Sequence, residues 1–382
     1  MNIVFEKSVL CDAVAPLMGA VSSKNTLAAV EGILITTDGP DKCSFTSFDL
    51  DKGFFAVVDA RVEEEGSFII NGTKFNQIIR MLPEGDIRIS VDNRFSAKIT
   101  GGKSEFELNA LGGEEFPSIP EFKGDYKFRM PQGVLKEMLM DTVFAVAQNE
   151  SKAVLNGSFF DINGTSIKVV ACDGNRLAVR DQICELGNES EDGRELNIKF
   201  ILPGKAITEV QKNLKDSDDE VTVSVSRKNA VFEFGSYTFF TRLIEGDYLE
   251  YERFIPKESK IFAKINTEQY IRSLERAALV SEDKSMGQAR SYVKCSFTDD
   301  ALKITSTSAN GRSYDEIAVE KEGADIEIGF NCKFLLDALR ACGTEEVKCA
   351  LNTPLSCMVI KPAEEQEGSD YLYLVLPIRM KD

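Results

Sequence analysis

The stretch TKFNQIIRMLPEGDIRISV, residues 73–91, decides the fold because two related stretches follow it along the chain. They are GKAITEVQKNLKDSDDEVTVSV at 204–225 and CKFLLDALRACGTEEVKCAL at 332–351. Each has a lysine at its second position, then apolar residues at helical spacing, then a polar turn and an alternating segment. The three lysines are 131 and 128 residues apart, which is the size of a domain. This pattern predicts three tandem repeats.

A second helical pattern precedes each of the three stretches. It lies within 3–21, 126–147 and 261–280. Short alternating runs bounded by Gly, Asn and Asp separate the helical segments and are typical of antiparallel strands and hairpins. We therefore predict an α+β fold in which each repeat contributes two helices against antiparallel sheets. With polar, proline-containing connectors near 120 and 255, the predicted domains are 1–122, 123–254 and 255–382.

The apolar run YLYLVLPIRM at 371–380 lies where chain ends are usually polar. The comparable segment 230–244 closes the second repeat. We therefore predict that 371–380 closes the third repeat as a strand paired into its sheet. The polar segment GNESEDGRE at 187–195 is instead predicted to be a solvated loop.

The composition is that of a globular chain, since 43% of the 382 residues are hydrophobic and 28% are charged. No run of about 18 uncharged apolar residues predicts a membrane span. Glu6, Lys7 and Asp12 interrupt any apolar signal-peptide core, so we expect a cytoplasmic protein without membrane partners.

The chain has no histidine, which excludes Ser-His and Cys-His nucleophile arrangements. Its nine cysteines form no CxxC pair, so we expect reduced core thiols rather than disulfides or a metal centre. No pair of carboxylates has the spacing of a metal or acid–base site. We predict a protein that is not an enzyme and uses no cofactor and no metal.

Two short motifs allow a chemical interpretation. Gly102, Lys103 and Ser104 match the end of a phosphate-binding loop, but the required earlier glycine is Ala97 and the segment is predicted to be strand–turn–strand. The stretch CDGNRLAVR at 172–180 could place a catalytic Asp173 beside an anion site. A turn stabilised by the aspartate side chain is the simpler interpretation, and we favour it.

Charge is distributed unevenly. The six predicted helical segments together carry +3, whereas the whole chain carries −17 and the remainder therefore carries −20. Exposed helix faces commonly bear Lys and Arg, so this difference alone does not establish a function. Its functional interpretation is a surface that binds the phosphate backbone without reading bases.

Two motifs resemble those of a known family. CDGNRLAV at 172–179 is similar to the T-D-G-H-R-L-A signature of the bacterial DNA polymerase III beta subunits, the sliding clamps, and YLVLPIRM at 373–380 resembles their P-M-R-L ending. TKFNQIIRMLPEG, EEFPSIP, LNGSFFD, LKIT and IEIGFNCKFLLDAL also resemble family segments, in the family's order. The resemblance covers essentially the whole chain.

The resemblance implies three tandem repeats of the DNA-clamp fold, which form half of a closed ring. Two chains would join head to tail as a homodimer, encircle duplex DNA without sequence preference, and slide along it as a processivity factor. A groove would bind peptides from the replicative DNA polymerase catalytic subunit, the clamp loader, and other replication and repair proteins that carry a clamp-binding motif. The alternative is a repeat-built interaction scaffold without DNA, which the net charge of −17 favours.

The resemblance also implies site residues. The DNA contacts would be Lys24, Lys74, Arg80, Asn149, Lys152, Lys205 and Lys212. The peptide groove would comprise Leu155, Cys172, Gly174, Asn175, Arg176, Leu177, Leu249, Arg253, Phe254, Asn331, Phe334, Leu355, Cys357, Val375, Leu376, Pro377, Ile378, Arg379 and Met380. The dimer interface would use Lys103, Phe106, Leu108, Arg276, Leu279 and Val280.

The chain departs from the family pattern inside the groove. Asn175 replaces the signature histidine, Cys172 replaces threonine, and Leu249 stands where proline is common. We expect these changes to alter peptide preference without removing the groove. Ala153 and Val154 replace aromatic residues of some relatives, which weakens the expectation of base stacking at that loop.

Overall fold

The structure, a computed structural model, describes residues 1–22, 27–119, 124–190, 193–281, 292–308, 311–364 and 367–380. Lys24, a predicted DNA contact, lies outside the described residues. The chain divides into two compact units. The first unit comprises 1–133, 187–194 and 208–243, and the second comprises 134–186, 195–207 and 244–382.

The described residues form six α-helices, two for each repeat as predicted. They are α1 Lys7–Leu17, α2 Gly72–Met81, α3 Gln132–Val143, α4 Gly204–Asn213, α5 Thr267–Ser281 and α6 Cys332–Cys342. Short 3-10 helices lie at Met18–Ala20, Ala28–Glu31, Gly113–Glu115, Ala153–Asn156 and Tyr251–Phe254.

Strands make up most of the regular structure of the described residues. They are β1 Asn2–Glu6, β2 Gly32–Thr37, β3 Lys42–Phe48, β4 Lys52–Asp59, β5 Arg61–Glu64, β6 Ser67–Asn71, β7 Asp86–Val91, β8 Ser96–Gly101, β9 Ser104–Gly112, β10 Tyr126–Pro131, β11 Gly157–Asn163, β12 Ser166–Cys172, β13 Arg176–Ile183, β14 Gly187–Asn188, β15 Asn197–Pro203, β16 Glu220–Val225, β17 Asn229–Phe234, β18 Tyr237–Arg242, β19 Ile261–Asn266, β20 Tyr292–Phe297, β21 Ala301–Ser308, β22 Gly311–Ala318, β23 Glu320–Glu322, β24 Ile326–Asn331, β25 Glu346–Leu351, β26 Met358–Pro362 and β27 Ser369–Val375.

In the first unit the described strands form one antiparallel sheet. Its order is β14-β10-β16-β17-β18-β4-β3-β2-β6-β9-β8-β7-β1-β5. Strand β18, which closes the second repeat, pairs with β4 of the first repeat from Tyr237 opposite Ala56 to Thr241 opposite Lys52. The sheet therefore joins two repeats through backbone hydrogen bonds.

The second unit contains two sheets among its described residues. The larger has the order β15-β11-β12-β13-β27-β26-β25-β19-β23, and the smaller has the order β22-β21-β20-β24. Strand β27 of the third repeat pairs with β13 of the second, from Arg176 opposite Val375 to Gln182 opposite Ser369. The closing strand of a repeat again joins the preceding repeat.

Helices α2 and α6 begin in the same way. In each, an asparagine immediately before the helix caps it: the Asn71 side chain accepts from the backbone N–H of Lys74, and that of Asn331 accepts from Lys333, both at 3.0 Å. Helix α6 ends at Cys342 and is followed by Gly343, whose φ of 62° lies in the left-handed region that favours glycine. These caps fix where α2 and α6 begin.

The predicted apolar stripes are buried. Phe75 and Ile79 of α2 are fully buried, as are Leu335 and Leu339 of α6. The helices therefore pack one face against their sheets, and the opposite faces carry the exposed charges. No helix in the described part of the chain has the length and apolar character needed to cross a membrane.

Three local predictions can be compared with the structure. The Gly102 segment is strand–turn–strand as predicted, between β8 and β9. The prediction of a loop at 187–195 is wrong for the first two residues, because Gly187–Asn188 form strand β14, which pairs with β10. The predicted strand 371–380 is correct only as far as Val375, beyond which the backbone leaves the sheet.

Candidate functional site

A small apolar cluster of the second unit lies where strands β12, β13 and β27 meet the segment 248–255. Its buried members are Val170, Leu177, Tyr251, Cys357 and Leu374. Partly buried residues packed against it are Phe159, Cys172, Val179, Tyr248, Leu249, Ile255 and Leu372. Four residues predicted for the peptide groove therefore belong to one cluster: Cys172, Leu177, Leu249 and Cys357.

Exposed apolar side chains flank this cluster in sequence. Leu355 is 69% exposed and Phe254 is 61% exposed, although each is two or three residues from a buried cluster member. Leu376, two residues after Leu374, is 42% exposed. An apolar floor with exposed apolar residues beside it is what a peptide-binding groove requires.

The last described residues are held without being part of a strand. The backbone N–H of Leu376 donates to the carbonyl of Asn175 at 2.9 Å, and that of Ile378 donates to the carbonyl of Gly329 at 2.8 Å. A Cβ on Gly329 would lie 2.9 Å from Cγ of Met380 and 3.0 Å from the carbonyl oxygen of Ile378. Glycine at 329 therefore permits the close approach of the tail to β24.

Arg176 is the most constrained side chain in this region. Its Nε donates to Asp173 Oδ2 at 2.8 Å and its Nη1 donates to Asp337 Oδ2 at 2.7 Å. Its guanidinium carbon lies 5.3 Å from the ring centroid of Phe144 and 4.4 Å from that of Phe334. We call Phe144, Asp173, Arg176, Phe334 and Asp337 the Arg176 cluster.

Asp173 performs the turn role that the sequence favours. Its Oδ1 accepts from the backbone N–H groups of Asn175 and Arg176 at 2.9 and 3.0 Å, and its Oδ2 accepts from the Arg176 side chain. Gly174 within this turn has a φ of 85°. Both carboxylate oxygens are occupied, so the geometry supports a structural turn rather than a catalytic acid.

A polar cavity of about 520 Å³ adjoins the Arg176 cluster. Its polar lining includes Gln148, Glu150, Asn175 and Lys333. The side chain of Asn175 is exposed, as are those of Glu150 and Lys333. The cavity is therefore open and offers both donors and acceptors.

The cysteines of the groove are not activated thiols. Burial is the main cause that raises the pKa of Cys172, although the Gly174 N–H donates to its sulfur at 3.4 Å. Burial likewise raises the pKa of Cys357, and it raises that of the Tyr248 hydroxyl. These groups stay protonated at neutral pH and act as apolar walls.

The predicted DNA contacts within the described residues are all exposed. Lys74 and Arg80 lie on α2, Lys205 and Lys212 lie on α4, and Asn149 and Lys152 lie between α3 and the 3-10 helix Ala153–Asn156. Lys212 forms an ion pair with Glu209 at 3.3 Å. The other predicted cations, as far as the described residues go, have no ion pair.

The predicted dimer residues lie beside two open strand edges. Phe106 and Leu108 are on β9, whose residues 104–109 pair with β8 alone among the described residues, and Lys103 is in the preceding turn. Leu279, 84% exposed, and Val280 are near the end of α5. Arg276 of the same helix donates from Nε to Asp315 Oδ2 at 2.7 Å, on the edge strand β22.

The rest of the predicted groove residues are dispersed along the same unit. Leu155 and Asn331 are partly buried, Val375 is fully buried, and Arg253 and Arg379 are exposed. The prediction missed Phe144 and Asp337, which contact Arg176 directly. Phe144 directly follows α3 and Asp337 lies on α6, and neither position gave a signal in the sequence because the contacts with Arg176 form only in the folded structure.

Comparison with protein families covers almost the entire chain. Residues 1–120 match the family described as DNA polymerase III beta subunit, N-terminal domain. Residues 129–250 match the central domain of that subunit, and residues 252–379 match its C-terminal domain. The three matches follow the order of the three repeats.

Similar whole proteins are also known. The beta sliding clamp of Halalkalibacterium halodurans is 30% identical over 389 residues, which span 99% of this chain and 100% of the relative. The beta sliding clamp of Bacillus subtilis is 27% identical over the same shares of both chains.

Solved structures agree with these relatives. The crystal structure of the Bacillus subtilis sliding clamp has a TM-score of 0.90 and 26% identity, with 100% of both chains covered. The Pseudomonas aeruginosa sliding clamp bound to griselimycin has a TM-score of 0.89 and 26% identity, also with 100% of both chains covered. The chain therefore belongs to the DNA polymerase III beta subunit family, the bacterial beta sliding clamps.

Proposed function

We propose that the chain is a replication processivity factor that encircles duplex DNA as a head-to-tail ring of two copies and slides along it. The observation that carries this proposal is the match of three family domains in order along the whole chain. The proposed clamp domains are 1–122, 123–254 and 255–382. Cytoplasmic bacterial replication is the proposed setting.

The DNA contact of this ring would be electrostatic and independent of sequence. Lys74, Arg80, Lys152 and Lys205 are exposed and, within the described residues, free of ion pairs. Such cations bind phosphates and release counterions without reading bases. A ring that is topologically linked to DNA needs little affinity, so a few free cations within a chain of net charge −17 are sufficient.

The groove around the apolar cluster would bind a linear peptide from the replicative polymerase, the clamp loader or another partner. The buried floor of Leu177, Tyr251 and Leu374 supports this assignment. Exposed Leu355 and Leu376 supply apolar surface that a peptide would cover. Anchoring by a few apolar residues is typical of such interfaces.

Two open strand edges support the head-to-tail dimer. Strand β9 of one copy would face β22 of the other, since both have an edge without a strand partner among the described residues. Exposed backbone edges pair readily with another chain. A contact between unlike surfaces closes into a ring only when its rotation permits closure.

The proposal assigns no reaction to the chain. Asp173, the candidate acid, is fully engaged in its turn. No group of three or more Cys, Asp or Glu residues suited to holding a metal occurs among the residues that the structure describes.

Retention on circular DNA tests the ring. Purified protein is loaded onto nicked plasmid by a clamp loader, separated from free protein by gel filtration, and then treated with a single-cutting nuclease. We expect retention on the circle and release after linearisation. Absence from the circle would favour the scaffold without DNA, and retention on the linear product would show direct DNA binding that does not depend on a closed ring.

A further inference from the structure

The proposed groove contains a cation that is not available to a ligand. Arg176 is only 9% exposed, and its Nε and Nη1 are each within 2.8 Å of a carboxylate oxygen, one from Asp173 and one from Asp337. Hydrogen bonds between charged partners are stronger than neutral ones. The guanidinium edge that a peptide would use is therefore already occupied on two of its nitrogens.

Two aromatic rings also contact the same guanidinium. Phe334 lies over it at 4.4 Å and Phe144 at 5.3 Å, distances typical of cation–π contacts. Phe144 comes directly after α3, and Phe334 and Asp337 are one turn apart on α6. The cluster thus joins three elements: the turn before β13, the end of α3, and α6.

These contacts bear directly on the groove. Leu177, the next residue, is in the buried floor, and the carbonyl of Asn175 accepts from the backbone of Leu376 at 2.9 Å. A change in the position of Arg176 would move the floor and the tail together. The Arg176 cluster therefore lies where the floor and the tail of the groove meet.

We propose that Arg176 is a positioning residue of the groove rather than a peptide ligand, and that it acts through Asp337 and Phe144. This inference rests on the proposed peptide-binding function of the groove. The exposed side-chain amide of Asn175, with no hydrogen bond to other described residues, is then the polar group of this turn that remains for a peptide. An amide both donates and accepts, which suits the N–H and carbonyl groups of a peptide backbone.

Peptide titration of a double-mutant cycle tests the proposal. The probe is a synthetic linear peptide from a bacterial replicative polymerase, and the variants are Arg176→Lys, Asp337→Asn and the two combined. Asp337→Asn should weaken binding about tenfold by releasing Arg176 from its position rather than by removing a peptide contact. Arg176→Lys should weaken binding to a similar extent. The combined variant should bind the peptide with about the same affinity as the single variant that binds less tightly, because either change alone already disrupts the Arg176 cluster.

Hydrogen exchange gives a second readout without peptide. In Asp337→Asn the amide of Leu376 should exchange faster, because its acceptor Asn175 is no longer fixed. Phe144→Leu, which keeps an apolar side chain but removes the aromatic face, should weaken binding about two- to fivefold. The matched control is Asp370→Asn on β27, which removes an exposed partner of Lys361 and should leave both readouts unchanged.

The outcomes separate this inference from the function on which it rests. Unchanged affinity in Asp337→Asn with a loss in Arg176→Lys would overturn it, because Arg176 would then contact the peptide itself. Additive losses in the combined variant would overturn it for the same reason. If the unchanged protein does not bind the peptide, the groove assignment fails, while the exchange of the Leu376 amide still reports on positioning.

Discussion

Helices α2 and α5 present their charges in opposite ways. On α2, Lys74 and Arg80 are exposed and have no ion pair with any described residue. On α5, both arginines are paired, one with Glu268 of the same helix and one with Asp315. The net charge read from the sequence is +2 on α2 and zero on α5. The pairing increases this difference, because a paired cation is less available to a phosphate.

Each of the two helices also has an exposed apolar side chain near its end. Met81 ends α2 and is 83% exposed, and Leu279 near the end of α5 is 84% exposed. Leu279 lies on the helix whose Arg276 is bound to the open edge strand β22. This difference supports our proposal that α2 faces DNA and that the end of α5 lies in the contact between chains.

The largest expected effect is on assembly. Replacing Leu279 and Val280 with Ala should convert the dimer into folded monomers, because truncating central apolar residues of an interface costs about 2 to 4 kcal/mol. Sedimentation velocity over a range of protein concentrations measures the change. Met81→Ala removes an equally exposed apolar side chain from α2 and should leave the dimer intact. An unchanged dimer in the first variant would place the interface elsewhere.

The next effect is on DNA retention. Reversing Lys74 and Arg80 to Glu should shorten retention on nicked plasmid for all sequences alike. The slope of log affinity against log salt should fall by about 1 to 2, since one phosphate contact contributes about 0.9. Titration of salt in the plasmid assay measures it. A loss confined to particular sequences would contradict backbone binding.

Helix α3 contributes to a buried ion pair, in contrast to the exposed ion pairs of α5. Asp141 lies 3.0 Å from Arg180, whose side chain is only 3% exposed. Burial raises the pKa of Asp141 from its ordinary 3.8 to about 7, while Arg180 acts in the opposite direction. The folded protein therefore holds a proton between pH 4 and pH 7 that the unfolded chain has released. Its stability should fall as the pH rises through this window.

Denaturant unfolding between pH 5 and pH 8 measures this dependence. Asp141→Asn cannot titrate and should flatten the decline in unfolding free energy across the window. Glu268→Gln removes an exposed pair of α5 and should leave the decline as it is, because that pair is solvated. A decline of equal size in Asp141→Asn would assign it to another group.

The fold was largely predictable because its signals are local. The helix stripe of Phe75 and Ile79 recurs in the other repeats, and a period of 3.6 residues identifies it without any partner. The end of the tail strand was not predictable in the same way. Val375 and Leu376 are both apolar, so the sequence does not show that β27 ends at Val375. In the structure, the last backbone hydrogen bond from this strand toward β13 runs from the N–H of Leu376 to the carbonyl of Asn175.

For the candidate site, the sequence supplied candidate residues but not the contacts between them. Resemblance identified Arg176, yet its partner Asp337 is 161 residues away and reaches it only through the pairing of two repeats. The pair of Lys212 with Glu209 is different, since a spacing of three residues on a helix predicts it. Long-range contacts therefore limit what sequence alone reveals about which charges are free.

The smallest expected effect is on DNA retention after a paired cation is released. Glu275 of α5 holds Arg340 of α6 at 2.7 Å, and both side chains are about half exposed. Glu275→Gln should release Arg340 to a phosphate, lengthen retention on nicked plasmid at moderate salt, and raise the salt slope by up to about 0.9. Glu322→Gln removes the same charge from the exposed strand β23 and controls for net charge. Equal gains in the two variants would show that net charge alone governs retention, and the distinction between paired and free cations would then carry no function.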